Sequence, residues 1–217
     1  MRIVDLSVPI AADTQVFPGD PVPTFVSACT ITVEGYNVLH VALGTHTGTH
    51  VDAPYHVRAD GARVDELPVD RFVMPAGIVD VCDRPPRSAI SRSDLTGTAW
   101  RPGGAAVLHT GWSHHRGTPR YFDHPFLTPD AAQFLLDAGV RTIALDTPNP
   151  DLTDLAGSGP AWLPVHGLVA DAGGIIVENL TALEKIDFAD PWLSVLPLRI
   201  AGADGAPCRA VAFTILG

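Results

Sequence analysis

The feature that most constrains this chain is one short stretch, His46-Thr47-Gly48-Thr49-His50-Val51-Asp52-Ala53-Pro54-Tyr55-His56. His46, His50, Asp52 and His56 share one parity, so along an extended backbone all four side chains face the same way. Four ionisable groups gathered on one face are costly to bury together unless a cation joins them. Imidazole and carboxylate are the donors that zinc, manganese and similar ions take. Gly48 and Pro54 interrupt regular backbone, which lets the segment wrap a site instead of running past it. A lone histidine is more often a surface or hydrogen-bonded core residue. His40, in an alternating stretch just upstream, is read as structural for that reason.

Around this segment the chain reads as short strands. Val, Ile, Leu and Ala-rich runs bounded by Gly, Pro and Asp predict strands over 3–8, 24–33, 37–43, 77–81, 105–109, 142–145, 174–177, 193–200 and 208–216. One helix is clear. Thr128 can cap it, Pro129 suits its first position, Asp130 favours its positive end and Gly139 can stop it. A second, shorter helix is expected near 180–186. Pro85-Pro86, Arg101-Pro102-Gly103-Gly104 and Gly157-Ser158-Gly159-Pro160 read as loops. Nothing is long or polar enough for an interdomain linker, so 217 residues form a single strand-rich α/β domain.

A formal net charge of −10 argues against nucleic acid and anionic membranes, which reward clustered Lys and Arg. Cys29, Cys82 and Cys208 are isolated and odd in number, which is no disulfide framework and points to a reducing, cytoplasmic compartment. No apolar run is long enough to span a bilayer, and Asp5 and Asp13 interrupt the N-terminus too early for a signal peptide. A small molecule is the expected partner.

The pattern H-x-G-T-H-x-D-x-P-x-H over His46–His56 resembles the signature of the cyclase family, which includes bacterial kynurenine formamidases (arylformamidases) and isatin hydrolase. The resemblance extends to Val4-Asp5-Leu6-Ser7, Pro18-Gly19-Asp20, Leu145-Asp146-Thr147-Pro148, and His166 followed by Glu178-Asn179-Leu180. It implies a swivelling β/β/α fold and a homo-oligomer, dimer or tetramer. By position it makes His46, His50 and Asp52 ligands of one divalent metal, with Asp52 bridging to a second held by His166 and Glu178. His56 becomes the proton-transfer residue. Formamidases typically carry Trp where this chain has Phe17, so Phe17 becomes the substrate-contacting aromatic, without an indole N–H.

The implied activity is cleavage of a C–N amide bond by metal-activated water, as in an arylformamidase or a cyclic-amide hydrolase. Zinc suits the mixed nitrogen and oxygen donors and manganese fits as well, with one or two ions per chain. A lactone hydrolase, a polyketide cyclase and a non-catalytic metal- or ligand-binding protein stay open on the same scaffold. A serine hydrolase is a weaker reading. Gly111-Trp112-Ser113-His114-His115 begins like a nucleophile elbow but has His115 where the turn needs a small residue. His114, His115 and His124 are read as loop residues. Neither G-x-G-x-x-G nor a Walker A sequence is present.

Overall fold

The computed structural model describes residues 1–155 and 162–214. The expected loop Gly157-Ser158-Gly159-Pro160 lies outside them, as do positions 215 and 216 of the last expected strand.

In chain order the strands are β1 (Arg2–Asp5), β2 (Thr24–Cys29), β3 (Val38–Ala42), β4 (His50–Asp52), β5 (Val73–Asp80), β6 (Ala89–Ile90), β7 (Ala105–His109), β8 (Phe126–Leu127), β9 (Thr142–Leu145), β10 (Ile175–Glu178), β11 (Trp192–Ser194), β12 (Gly205–Pro207) and β13 (Val211–Thr214). The helices are α1 (Ile31–Glu34), α2 (Arg92–Leu95), α3 (Pro129–Asp137) and α4 (Pro164–Asp171). Nine strands form one sheet in the order β1-β13-β11-β5-β7-β9-β10-β4-β12. Its centre, β5-β7-β9-β10, is parallel and both flanks are antiparallel.

The parallel centre is buried on both faces, which is why its strands read as near-continuous apolar runs. Ala106, Leu108, Ile143 and Ile176 face a core shared with Ala131 and Leu135 of α3 and Val165 and Val169 of α4. Val107, Ala144, Ile175 and Val177 face the opposite core. That second core also holds Val51 and Ala206 from one flank of the sheet and Leu193 and Ala212 from the other. Side chains from opposite ends of the sheet therefore meet, so the sheet curls around its own apolar face while helices cover the other. This is the strand-rich α/β architecture expected.

Several boundaries moved for local reasons. The expected strand 24–33 stops at Cys29 because Glu34 reaches back to accept the Thr30 N–H at 2.7 Å and Asn37 accepts the Ile31 N–H at 3.0 Å, closing the single turn α1. The strand expected over 193–200 ends at Ser194, and beyond it an isolated bridge joins Pro197, which has no N–H, to Cys208. The helix expected near 180–186 is one 3₁₀ turn, Leu183–Lys185. The Thr128-capped helix forms as expected, the Thr128 hydroxyl accepting the Ala131 N–H at 3.2 Å. Sequence reasoning missed α2, α4, β6, β8 and β12. Among the described residues no helix is long and apolar enough to cross a membrane.

β12 guards the outer side of β4, and Gly205 stands opposite Asp52 in the pairing. A Cβ there would lie 2.6 Å from the Val51 carbonyl oxygen and 3.0 Å from His46 Cε1. Gly205→Ala should therefore cost about 1–3 kcal/mol in urea unfolding, because the clash is partly with backbone that cannot rotate away.

Candidate active site

The ionisable cluster is assembled by strand register. β4 pairs with β10 so that His50 stands opposite Glu178, and Asp52, two residues on, points to the same side as His50. His46 arrives from the turn before β4 and His56 from the 3₁₀ turn Pro54–His56 after it. The four residues of the signature thus converge, although only 50–52 is extended strand.

His166 joins them from the first turn of α4. Asp151 caps that turn from a distance. Its Oδ1 accepts the Val165 N–H at 2.8 Å, and its Oδ2 accepts the His166 N–H at 3.1 Å and the His166 Nδ1–H at 2.7 Å. One carboxylate thereby satisfies two free amides at a helix start and turns the Nε2 of His166 inward. His50 is oriented in the same manner, its Nδ1–H donating to the Gly48 carbonyl at 2.9 Å.

The result is a ring of four donors. His50 Nε2 lies 3.2 Å from Asp52 Oδ1 and 3.4 Å from Glu178 Oε2. His166 Nε2 lies 3.5 Å from Asp52 Oδ2 and 3.4 Å from Glu178 Oε1. Ligands held about 2.0–2.1 Å from a tetrahedral zinc stand roughly 3.3 Å apart, and one ligand atom each from His50, Asp52 and Glu178 lies within 4.8 Å of the others, a set that fits a divalent cation. His50 Nε2 and Asp52 Oδ2 are buried without a hydrogen-bond partner, which a cation would satisfy.

His46 bridges two carboxylates, with Nδ1 at 2.7 Å from Asp52 Oδ1 and Nε2 at 2.8 Å from Asp204 Oδ2. His56 Nδ1 lies 3.2 Å from the same Asp204 oxygen, and its ring centroid is 4.2 Å from that of His46. Two groups of donors emerge, His46–Asp52–His56 and His50–Asp52–Glu178, and Asp52 belongs to both. The resemblance pairs His50 with His46, whereas these distances group His50 with Asp52 and Glu178.

Electrostatics follow the crowding. Burial alone would lower the His46 pKa, but Asp52 and Asp204 outweigh it and raise it to about 11. Burial opposes His50 too, and Asp52 with Glu178 raises it to about 9. Burial works against charge on Asp52, yet His46 and His50 hold its carboxyl well below the usual range.

Beside the cluster lies a cleft whose wall is apolar, formed by Phe17, Tyr121, Phe122, Pro148 and Leu163, with His46, His50, His56, His166 and Glu178 also lining it. Phe17 meets Phe122 edge-on with ring centroids 5.8 Å apart, which places the predicted aromatic at the cleft. Asn179, in the left-handed conformation at φ 59°, ends β10, and its Oδ1 accepts the Tyr121 hydroxyl at 2.8 Å.

The sequence profile of the Cyclase family matches residues 4–152. A kynurenine formamidase of Salinibacter ruber (strain DSM 13855 / M31) is 34% identical over 214 residues, 97% of each chain. The chain belongs to the cyclase family. In structure it is similar to an isatin hydrolase bound to the product analogue thioisatinate, with a TM-score of 0.88, 22% identity, and coverage of 99% of this chain and 92% of that one. It is also similar to a potential metal-dependent hydrolase with cyclase activity, with a TM-score of 0.77, 26% identity, and coverage of 100% and 99%. This cyclase-family chain is a metal-dependent hydrolase.

Sequence reasoning did not single out the cleft residues Tyr121 and Phe122, nor the two carboxylates Asp151 and Asp204. Neither carboxylate has a local signal, since Asp151 acts on residues 14 and 15 positions away and Asp204 on His46 and His56 from the far end of the chain. His114 and His115 belong to a 3₁₀ turn away from the cleft, and among the described residues no hydrogen bond joins Ser113 to a histidine. His124 is buried and structural, with Nδ1–H donating to the Pro125 carbonyl and Nε2 accepting the Thr153 hydroxyl, both at 2.8 Å. Burial pushes its pKa down to about 4. In the unfolded chain it titrates near 6.5. The native state therefore binds fewer protons between those values. The stability it contributes is complete above about pH 6.5 and drains as pH falls through 4, by about 3 kcal/mol. Unfolding free energies measured across that window should fall more steeply in the natural protein than in His124→Asn.

Proposed function

We propose that this hydrolase cleaves the C–N bond of an N-formyl arylamine, in the manner of an arylformamidase, using one or two zinc or manganese ions held by His46, His50, Asp52, His166 and Glu178. The observation that carries this is the buried cluster in which the Nε2 atoms of His50 and His166 each face both carboxylates at 3.2–3.5 Å, with two buried atoms in it left unpartnered, beside an apolar cleft.

A divalent ion supplies Lewis acidity, which lowers the pKa of water and polarises an amide carbonyl. The chain does the rest. Asp151 and the Gly48 carbonyl fix the tautomers of His166 and His50, so each offers its Nε2. Phe17 and Phe122 hold an aromatic ring against the wall, orienting the amide toward the histidines. His56, tied through Nδ1 to Asp204, keeps its other nitrogen to carry the proton to the departing amine.

A second reading is a cyclic aryl amide, as in isatin. Among the described residues lining the cleft there is no Lys or Arg, which suits an uncharged ring as well as one bearing an amino-acid side chain. Assaying N-formylkynurenine, isatin and an aryl lactone side by side separates formamidase, lactam and lactone hydrolysis. His56→Gln should lower kcat by roughly 10²–10⁴-fold with bound metal unchanged by elemental analysis. His50→Ala should lose metal and turnover together. Full turnover in His56→Gln, or metal-free protein that remains active, would sink the assignment.

The chain works as a cytoplasmic homo-oligomer. Its three cysteines are free thiols, in keeping with a reducing compartment. The β2–β3 hairpin and α1 expose Val26, Ile31, Val33, Leu39 and Val41, an apolar surface that a second copy would cover. Light scattering should report a dimer or tetramer for the natural chain and a smaller species for Val26→Asp/Leu39→Asp.

A further inference from the structure

A second set of mixed donors lies outside the cleft. Asp80 ends β5 and His109 ends β7, and the two residues are partners in the parallel pairing. Cys82 follows two positions after Asp80, whose Oδ1 accepts the Cys82 N–H at 3.0 Å. The donor atoms of Asp80, Cys82 and His109 all lie within 4.8 Å of one another. His109 Nδ1 stands 3.9 Å from Asp80 Oδ1, too far for a hydrogen bond, and a small turn of the exposed Asp80 carboxylate would bring the two to the roughly 3.3 Å of ligands on one zinc.

The surroundings favour a cation. The carboxylates of Asp80, Asp83 and Asp146 all act electrostatically on the Cys82 thiol. Asp146 ends β9 next door. Its Oδ1 accepts the Thr110 N–H and hydroxyl, while its Oδ2 is buried without a partner. The cationic side chains in the same groove are occupied elsewhere, Arg84 by Asp94 and the Ala89 carbonyl and Arg120 over the Trp112 ring. His114 and His115 complete the groove wall. Space is also kept for the sulfur. Gly111, at φ +72°, presents no side chain to it, and a Cβ there would come within 3.2 Å of Cys82 Sγ.

We propose that Asp80, Cys82 and His109 form a second, open zinc site, with its remaining position facing the groove beside Trp112. Thiolate, imidazole and carboxylate together select a borderline-soft ion such as zinc, and three protein ligands leave one position for water or a small ligand. Binding exchanges the thiol proton for the metal, so one proton is released per ion at this cysteine. The ion would tie the ends of β5 and β7 together.

Cobalt tests this without interference from the active site, because that cluster contains no sulfur. Titrating cobalt into the whole protein should produce a thiolate-to-metal charge-transfer band whose plateau intensity corresponds to one thiolate-bound ion per chain, whatever cobalt the active site also takes up. The band should vanish in Cys82→Ser, weaken in affinity by roughly tenfold or more in His109→Ala, and persist in Cys29→Ser and in His50→Ala. Absence of the band, or its survival in Cys82→Ser, overturns the proposal. If Cys82→Ser does not fold, the natural protein decides. Saturating zinc should slow alkylation of Cys82 by about tenfold or more and leave Cys29 unchanged, whereas equal rates with and without zinc overturn the site.

Discussion

Antiparallel pairing of the three-residue strand β4 against β10 holds this structure's chemistry together. It sets His50 across from Glu178, puts Asp52 on the same face, and leaves Val51 between them pointing into the core. Slipping the pairing by one residue would drive Val51 into the polar cluster and two ionisable groups into the apolar core. Each unpaired buried charge costs several kcal/mol, so the register is enforced from both sides of the strand. β12 on the outer edge and Gly205 within it let the segment be covered closely without displacing His46.

The same crowding sets a charge balance. Asp52, Glu178, Asp204 and Asp151 are gathered with four imidazoles in a largely buried volume. Raised histidine pKa values show protons serving as the counter-charge, at His46 and His50 above all. A divalent ion does the same work more compactly, which ties metal affinity to proton release. Asp151 shows how economically the scaffold is wired, since the carboxylate that starts α4 also chooses the tautomer of His166.

The sequence was most informative where a pattern is local. The parallel strands, the Thr128 cap and the His46–His56 cluster are all visible in neighbouring residues, because burial on both faces, helix capping and ligand spacing each leave a short-range trace. Reading the cluster as an extended segment gave the right convergence for a partly different reason. His50 and Asp52 obey strand parity, but His46 and His56 arrive through turns around Gly48 and Pro54. Helix α4 was hidden because its cap is Asp151, far back in the chain, and Asp204 because its partners lie more than 140 positions away. Contacts of that length are fixed only when the sheet closes, and no window of residues can display them.

The placement of β4 also orders events in time. Its two neighbours in the sheet, β10 and β12, come from the last third of the chain, and Asp204 sits next to the second of them. A ribosome that has delivered the signature histidines has therefore made a string of donors with nothing to hold them in place. The pocket that would grip an ion comes into being only when the C-terminal segment emerges and zips along β4. Cofactor acquisition would thus wait until β10 and β12 have been made, and on the proposed ligand set a product truncated before them would lose its grip on metal even with the histidine signature intact.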